Sequence, residues 1–254
     1  MDYAAQREQF ARDGYAVFER ALSGPLLEMM REQCGTAVKR ADARLDELGT
    51  DVDGITHRGS RYFVADCQRQ QPRLREMLFS DTMADICRAT LGGDAYFFFD
   101  QFVVKGPDKG MSFSWHQDSG YVRGNGGPPV HKPFLTCWCP LDDTTIANGT
   151  VRLMSFSEMP ESRNGIVPHI REAGTNDLVA DAQGKEGEYF EVPAGSVVAF
   201  SSLVLHSSSG NTTPNLRRVY LAQYSPEVLL NPNTNHLRRN AIPLLRDGKK
   251  VTVV

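Results

Sequence analysis

The segment AYFFFDQFVV, residues 95–104, decides the fold class of this chain. It is dense in aromatic and β-branched residues, and this composition predicts a strand that is buried on at least one face. Further strand-like segments follow it, separated by turn residues, at 112–117, 133–141, 149–154, 188–192, 196–200 and 216–224. Many short strands with such punctuation are typical of a sandwich, a barrel or a jelly roll.

Helical patterns dominate before residue 94. Apolar residues spaced by three and four predict an amphipathic helix over 25–48, with Ser23 in the N-cap position. Shorter helices are predicted over 4–12, 72–79 and 81–91, brief strands over 15–18 and 61–64, and a loop over 49–60.

No linker-like composition interrupts the chain, so we predict one domain over residues 1–254. Its parts are a helical region of about 1–93, a jelly-roll core of about 94–225 and an irregular tail over 226–254, with at most one last edge strand. Two polar inserts, 120–132 and 155–187, interrupt the strands. Long inserts on a β scaffold commonly form lids and binding loops.

The composition is that of an ordinary globular protein, with 254 residues, 41% hydrophobic residues and a formal net charge of −3. This net charge gives no indication of a surface that binds nucleic acid or an anionic membrane. No apolar run is long enough to span a bilayer. Five scattered cysteines and the lack of a signal-peptide pattern favour reduced thiols and a cytoplasmic protein. We expect a small-molecule partner and a monomer or homodimer.

The motif FSWHQDSGY, residues 113–121, suggests a metal site. His116 and Asp118 lie two apart in a predicted strand, so their side chains would leave the same face. An imidazole and a carboxylate on one face are two thirds of the 2-His-1-carboxylate triad that holds non-haem Fe(II). Six histidines and eighteen aspartates would form about 0.4 such pairs by chance, so a third ligand is needed to support the site.

His206 is the best candidate for the third ligand because it follows a strand-like run, 195–205. The polar inserts contain His131 and His169, and the tail contains His236. Eleven residues after His206, Arg217 lies near the start of another predicted strand, 216–224. An arginine there would suit bidentate binding of a carboxylate.

The order His116-x-Asp118, His206, Arg217 resembles the phytanoyl-CoA dioxygenase (PhyH-like) family of Fe(II)- and 2-oxoglutarate-dependent oxygenases. Three further stretches are similar to that family: QFARDGY at 9–15, WHQDSGY at 115–121, and TCWCPLDD at 136–143 followed by NGTVR at 148–152. The resemblance implies a mainly β fold, with a double-stranded β-helix (jelly-roll, cupin-like) core flanked by N-terminal helices.

The resemblance also implies a site. His116, Asp118 and His206 would hold iron and act in catalysis, and Arg217 would bind the distal carboxylate of the cosubstrate 2-oxoglutarate. Arg217 is chosen over Arg218 on the family's spacing, and the two point to opposite faces of a strand. The presence of Asp118 argues against halogenation, because halogenating relatives replace this carboxylate with a small residue.

Other site residues are less specific in the sequence. Gln101, Thr136 and Trp138 are candidate cofactor contacts, although each also suits an ordinary core position. The candidate substrate contacts come from the loop near residue 58 and the first insert, and they are His57, Arg58, Arg61, Tyr121 and Arg123. Exposed arginines are commonly just solvated, which is the alternative for those three positions.

The implied activity is oxidation of an unactivated C–H bond of a small molecule by hydroxylation, desaturation or ring closure, with Fe(II), 2-oxoglutarate and O₂. We expect a secondary-metabolite or sugar-containing substrate, as in antibiotic biosynthesis. An acyl-CoA or amino-acid hydroxylase is the alternative within the family. Two alternatives lie outside the family. One is a Zn²⁺ or Mn²⁺ hydrolase, which would not need Arg217, and the other is a non-catalytic binding jelly roll.

Overall fold

The structure is a computed structural model that describes residues 3–108, 111–123, 130–172, 177–231 and 233–252. Its α-helices are α1 (Ala4–Asp13), α2 (Gly24–Leu48), α3 (Arg75–Leu78), α4 (Asp81–Thr90) and α5 (Asp118–Arg123). Its strands are β1 (Tyr15–Phe18), β2 (Val52–Asp53), β3 (Thr56–His57), β4 (Arg61–Ala65), β5 (Ala95–Lys105), β6 (Phe113–His116), β7 (Leu135–Pro140), β8 (Val151–Leu153), β9 (His169–Arg171), β10 (Leu178–Ala180), β11 (Glu188–Tyr189), β12 (Val197–Ser201), β13 (His206–Ser208), β14 (Arg217–Ser225), β15 (Ile242–Arg246) and β16 (Lys249–Lys250).

Two antiparallel sheets form the core of the described ranges. The larger has the order β1-β12-β7-β14-β5-β4-β3-β2, with β15 also pairing with β5 and β16 with β15. The smaller has the order β11-β8-β13-β6. A buried cluster joins the two sheets, with Trp138, Phe200 and Val219 on the larger and Val151 and Leu153 on the smaller. The mainly β jelly-roll core predicted from the sequence is therefore confirmed.

Helices cover the other face of the larger sheet. Met30 and Cys34 of α2 and Ile86 of α4 share a buried cluster with Phe102 and Tyr220 of the sheet. Burial of a large apolar side chain contributes about 1.5–3 kcal/mol, so this layer fixes the helices on the sheet.

The strands alternate between the two layers, as period-2 geometry requires. On β14, Val219 packs into the cluster between the sheets, whereas Tyr220 and Ala222 pack under the helices. On β7, Trp138 faces inward and Cys137 faces the helices. Polar side chains on the inward face of these strands therefore enter the space between the sheets.

Helix ends are mostly set as expected from local sequence. The Ser80 hydroxyl accepts a hydrogen bond from the Met83 amide and caps α4. Gly14 and Gly49 end α1 and α2 in the left-handed conformation, where glycine lacks the steric cost of a Cβ atom. Ser23 occupies the N-cap position of α2, but its side chain makes no capping hydrogen bond.

Three local predictions were wrong. The predicted loop over 49–60 contains the short strands β2 and β3. The tail, predicted to be irregular, contains β15, which pairs with β5 in the larger sheet. The predicted strand over 112–117 ends at His116, and α5 begins at Asp118. Within the ranges that the structure describes, no helix is both long and apolar enough to cross a membrane.

Candidate functional site

His116, Asp118 and His206 come together where the smaller sheet opens toward the larger. His116 ends β6 and His206 begins β13, and the two residues are paired directly across these antiparallel strands. Their rings lie 4.1 Å apart, and His206 Nε2 lies 3.6 Å from Asp118 Oδ1. One ligand atom from each of the three residues lies within 4.8 Å of the others. This arrangement suits a metal ion bound on one face, with open positions on the other.

Both histidines present the same ring nitrogen to this site. His116 Nδ1 lies 2.7 Å from the carbonyl oxygen of Ser114, and His206 Nδ1 lies 3.1 Å from that of Val204. A carbonyl oxygen only accepts, so each Nδ1 carries the proton and each Nε2 keeps a lone pair. Burial, followed by the neighbouring His206, lowers the pKa of His116 and favours the neutral imidazole that a metal requires.

The Asp118 carboxylate is oriented by two side chains of the larger sheet. The Thr136 hydroxyl donates to Asp118 Oδ2 at 2.5 Å, and Gln223 Nε2 donates to the same oxygen at 3.1 Å. Gln223 also donates to Thr136 Oγ1 at 3.0 Å, which closes the network. With Oδ2 held in this way, Oδ1 is the oxygen that faces His206.

Asp118 reaches this position through a turn of the backbone. The prediction that it continues the strand of His116 was wrong. Gln117 is fully buried; its side-chain amide donates to the carbonyl oxygens of Gly165 and Leu203, and its side-chain oxygen accepts from the Val167 amide. The backbone turns inward around this anchor, and Asp118 begins α5. His169 Nε2 accepts the Gln117 amide proton, so this histidine supports the turn.

Arg217 has a buried guanidinium with unsatisfied donors. Its side chain is only 1% exposed, and its Nη2 donates to the Gly149 carbonyl oxygen at 3.1 Å. Its Nε and Nη1 have no hydrogen-bond partner. Burial lowers its pKa to about 10, which leaves the side chain charged at neutral pH. Because buried unpaired donors are costly, these two N–H groups fit a bound carboxylate.

Arg218 serves as an internal contrast. It points to the opposite face of β14, where it donates to both carboxylate oxygens of Asp142. This bidentate pair satisfies its guanidinium within the protein, whereas Arg217 has no carboxylate partner among the described residues.

Two more basic side chains lie beside Arg217 on neighbouring strands. Lys105 is paired with Arg217 across β14 and β5, and with Arg61 across β5 and β4. Lys105 is fully buried, and its Nζ donates to Ser208 Oγ at 2.8 Å. Burial, followed by Arg217 and Arg61, lowers its pKa to about 5. At neutral pH Lys105 is therefore mainly a neutral amine, and Arg217 and Arg61 supply the positive potential that would stabilise a bound anion.

The metal-ligand cluster and Arg217 line the same cavity, which has a volume of about 950 Å³. Its walls are rich in aromatic side chains, including Phe98, Phe99 and Phe113. Gln101, Thr136 and Trp138, predicted as cofactor contacts, also line it. Thr136 contacts Asp118, and the Trp138 ring lies 5.8 Å from the Arg217 guanidinium carbon.

The structure places three of the five predicted substrate contacts in the cavity wall. His57, Arg61 and Tyr121 line the cavity, and the Tyr121 ring lies 5.5 Å from that of His116. Arg58 does not line it, since it pairs at the surface with Asp42, Asp46 and Asp51. Arg123 ends α5, but its side chain lies outside the described part of the chain.

The sequence alone did not reveal three other arginines of the cavity. Arg171 comes from the second insert, and Arg238 and Arg239 come from the tail. Their positions depend on long-range contacts, such as the pairing of β15 with β5, so no local pattern could identify them. Gln223 was missed as well, although its position on the inward face of β14, two residues after Leu221, was a usable signal.

The family model for phytanoyl-CoA dioxygenase (PhyH) matches residues 10–219. The chain is 27% identical over 222 residues to ectoine dioxygenase of Stutzerimonas stutzeri (strain A1501), covering 83% of this chain and 72% of that protein. It is 25% identical over 238 residues to L-proline trans-4-hydroxylase of Streptomyces griseoviridis, covering 85% and 84% of the two chains.

Solved structures share the fold. The non-haem α-ketoglutarate-dependent carbocyclase SnoK from nogalamycin biosynthesis has a TM-score of 0.66 at 17% identity and covers 100% of this chain and 94% of its own. EvdO2 from Micromonospora carbonacea var. aurantiaca, in complex with 2-oxoglutarate, has a TM-score of 0.66 at 19% identity and covers 93% and 97%. The chain therefore belongs to the phytanoyl-CoA dioxygenase (PhyH) family, and it is an Fe(II)- and 2-oxoglutarate-dependent dioxygenase.

Proposed function

We propose that this dioxygenase oxidises an unactivated C–H bond of a small molecule larger than an amino acid, by hydroxylation or oxidative cyclisation, in the manner of a secondary-metabolite tailoring enzyme. His116, Asp118 and His206 would hold the iron. Arg217 would bind the distal carboxylate of 2-oxoglutarate. The size of the cavity, about 950 Å³, supports a substrate of this size, because it is at the upper end of cavities for drug-sized ligands.

Bound iron and 2-oxoglutarate would supply the oxidising chemistry, in which O₂ and 2-oxoglutarate are consumed, succinate and CO₂ are released, and one oxygen atom is available to the substrate. The protein's own part is to hold and shield these groups. The two Nε2 lone pairs and Asp118 Oδ1 form the ligand face. Thr136 and Gln223 fix the carboxylate, and such outer contacts typically change metal affinity by about 10- to 100-fold.

The single observation that carries the assignment of this cavity to 2-oxoglutarate chemistry is the buried Arg217 with its two unsatisfied donors in the same cavity as the triad. A hydrolytic metal site has no need of a buried carboxylate anchor. Arg61, which like Arg217 is paired with Lys105 across neighbouring strands, adds positive charge that favours a dianionic cosubstrate.

The test is release of succinate from 2-oxoglutarate by the iron-loaded protein under O₂, with candidate substrates added singly. Secondary metabolites, including sugar-containing ones, should stimulate release, and the oxidised product should be detectable by mass spectrometry. His206→Ala serves as the inactive control. Failure of all such compounds, together with strong stimulation by a free amino acid, would contradict the proposed size class.

An amino-acid hydroxylase is the second candidate, favoured by the names of the two relatives, ectoine dioxygenase and L-proline trans-4-hydroxylase. L-Proline and ectoine therefore belong in the same assay, together with an acyl-CoA thioester. The cytoplasmic location, the single domain and the monomeric or homodimeric state stay predictions from the sequence.

A further inference from the structure

The cavity has a charge opposite to that of the whole chain. Among the described residues, five arginines and two aspartates line it, whereas the whole sequence has a formal net charge of −3. Clefts lined by charge of one sign concentrate ligands of the other sign. The proposed 2-oxoglutarate site uses Arg217, which lies at the buried inner end of the cavity. Arg238 and Arg239 lie at the more exposed end, called the mouth here, and have no role in that site.

Arg238 is the most informative of these. Its Nη2 donates to the Tyr121 carbonyl oxygen at 2.6 Å, and among the described residues it has no carboxylate partner. Its side chain is half-buried, and burial, followed by the neighbouring Arg239, lowers its pKa. A partly desolvated guanidinium beside a like charge is stabilised by a bound anion, and its other N–H groups can donate to one.

Arg239 lies next to Arg238 and is held in place by an ion pair. Its guanidinium lies 4.7 Å from the centroid of the Phe99 ring, and its Nη1 lies 2.5 Å from Asp66 Oδ2. Asp66 is largely buried, so this pair fixes Arg239 at the cavity wall. The two adjacent arginines of the tail therefore form one edge of the cavity, and Arg238 is the one that has no carboxylate partner among the described residues.

An apolar surface continues from this edge toward the metal ligands. Phe98 and Phe134 lie edge to face with ring centroids 5.0 Å apart, and Leu229 and Val122 pack against them. Arg238 is bonded to the backbone of Tyr121, whose ring contacts His116. A molecule with an anionic end at Arg238 would thus extend along this apolar surface to the triad.

We propose that the substrate carries a carboxylate or phosphate group that binds Arg238, beside the ion-paired Arg239, and an apolar body that lies along the Phe98, Phe134 and Val122 surface. This inference rests on the proposed function, since it concerns the substrate of the same cavity. It assigns the mouth arginines to substrate selection and Arg217 to the cosubstrate.

The test uses calorimetric binding of three probes to the Ni(II)-loaded protein with saturating 2-oxoglutarate. Phenylacetate and phenyl phosphate carry the two candidate anions, and phenylacetamide is the neutral match. We expect one or both anions to bind at least about tenfold more tightly than the amide, as charge-assisted hydrogen bonds to arginine would give. Whichever anion binds more tightly identifies the charged group. Arg238→Gln should remove the preference. Arg246→Gln, the same charge change at the exposed last residue of β15 and outside the cavity, should keep it.

Equal affinity of the wild type for the amide and both anions would overturn the inference. So would an anion preference that survives in Arg238→Gln but is lost in Arg217→Gln, because the anion would then bind at the inner end. Direct titration of 2-oxoglutarate separates the two proposals. The Arg238→Gln variant should bind it like the wild type, whereas a wild type that binds no 2-oxoglutarate would contradict the proposed function. In that case the affinities of the three probes would be compared in the absence of 2-oxoglutarate.

Discussion

The inner end of the cavity and its mouth both concentrate arginine, but they are built differently. At the inner end, Arg217 projects from the start of β14, an interior strand of the larger sheet, and is 1% exposed, with its environment fixed by neighbouring strands. At the mouth, Arg238 and Arg239 lie on tail backbone before β15 and are partly exposed. A rigid, buried cation suits a cosubstrate of one fixed shape. Cations on irregular segments can differ among relatives without disturbing the sheets, which suits a substrate specific to one enzyme.

Removal of a metal ligand at the inner end should have the largest effect. Asp118→Ala and His206→Ala each leave two ligands, so we expect iron binding to weaken severely and succinate formation to fall below detection. Iron content after dialysis and succinate release would measure this. Arg238→Gln, which changes the mouth alone, is the matched control and should retain its iron. Loss of iron from that variant would contradict the separate roles of the inner end and the mouth.

Arg217 and Arg218 provide the next test, since they are neighbours on opposite faces of β14. Arg217→Gln should raise the 2-oxoglutarate concentration for half-maximal turnover by about 10- to 100-fold, because a bidentate charged anchor is lost. Arg218→Gln breaks the pair with Asp142 and should lower thermal stability while the 2-oxoglutarate requirement stays near that of the wild type. The reverse pattern would place the anchor at Arg218.

A smaller effect is expected from the residues that orient Asp118. Thr136→Val removes the hydroxyl that donates to Asp118 Oδ2 but keeps the side-chain shape, so metal affinity should fall by about tenfold. Competition with a metal-binding dye would measure this affinity. Thr136→Ser keeps the hydroxyl and should restore most of it. Equal loss in both variants would show that packing, and not the hydrogen bond, is responsible.

Asp100 should have no role in turnover, in contrast to Asp118, but should affect stability. It is buried under the helices, where Tyr220 Oη and the Gln68 amide donate to its Oδ2. Burial raises its pKa to about 6, above its ordinary value of 3.8. The folded state therefore binds the proton more tightly, and stability should decrease as pH rises through the window from about 4 to 6.

Asp100→Asn should remove this decrease, which amounts to about 2–3 kcal/mol in the free energy of unfolding. Denaturant unfolding at several pH values would measure it, with the exposed Asp53→Asn as the control for general charge effects. An unchanged pH profile in Asp100→Asn would show that the buried carboxylate does not keep its proton in the folded state.

The sequence predicted the inner end of the cavity much better than the mouth. His116, His206 and Arg217 lie on or at the ends of strands, and strand alternation separates Arg217 from Arg218 without knowledge of the fold. Asp118 was identified for a reason that proved wrong, because it begins a helix after the buried turn at Gln117. The role of Thr136 as a partner of Asp118 could not be read from spacing, since it depends on how β7 faces α5 across the cavity.

The mouth escaped prediction because its residues come from segments without periodic patterns. Arg238 enters the cavity only because the tail returns to pair with β5, a contact between residues more than a hundred positions apart. Local propensity does not encode such contacts. The tail that the sequence suggested to be irregular thus contributes both a strand of the larger sheet and two arginines of the cavity wall.

The most direct test of the central claim is anaerobic titration of 2-oxoglutarate into the Fe(II)-loaded protein, followed by admission of O₂. A visible absorption band should develop and saturate as 2-oxoglutarate binds the iron, and O₂ should then yield succinate. Arg217→Gln should require far more 2-oxoglutarate for the same band, whereas Arg218→Gln should not. Iron that remains bound without any such band or succinate in the wild type would contradict the assignment of this cavity to 2-oxoglutarate.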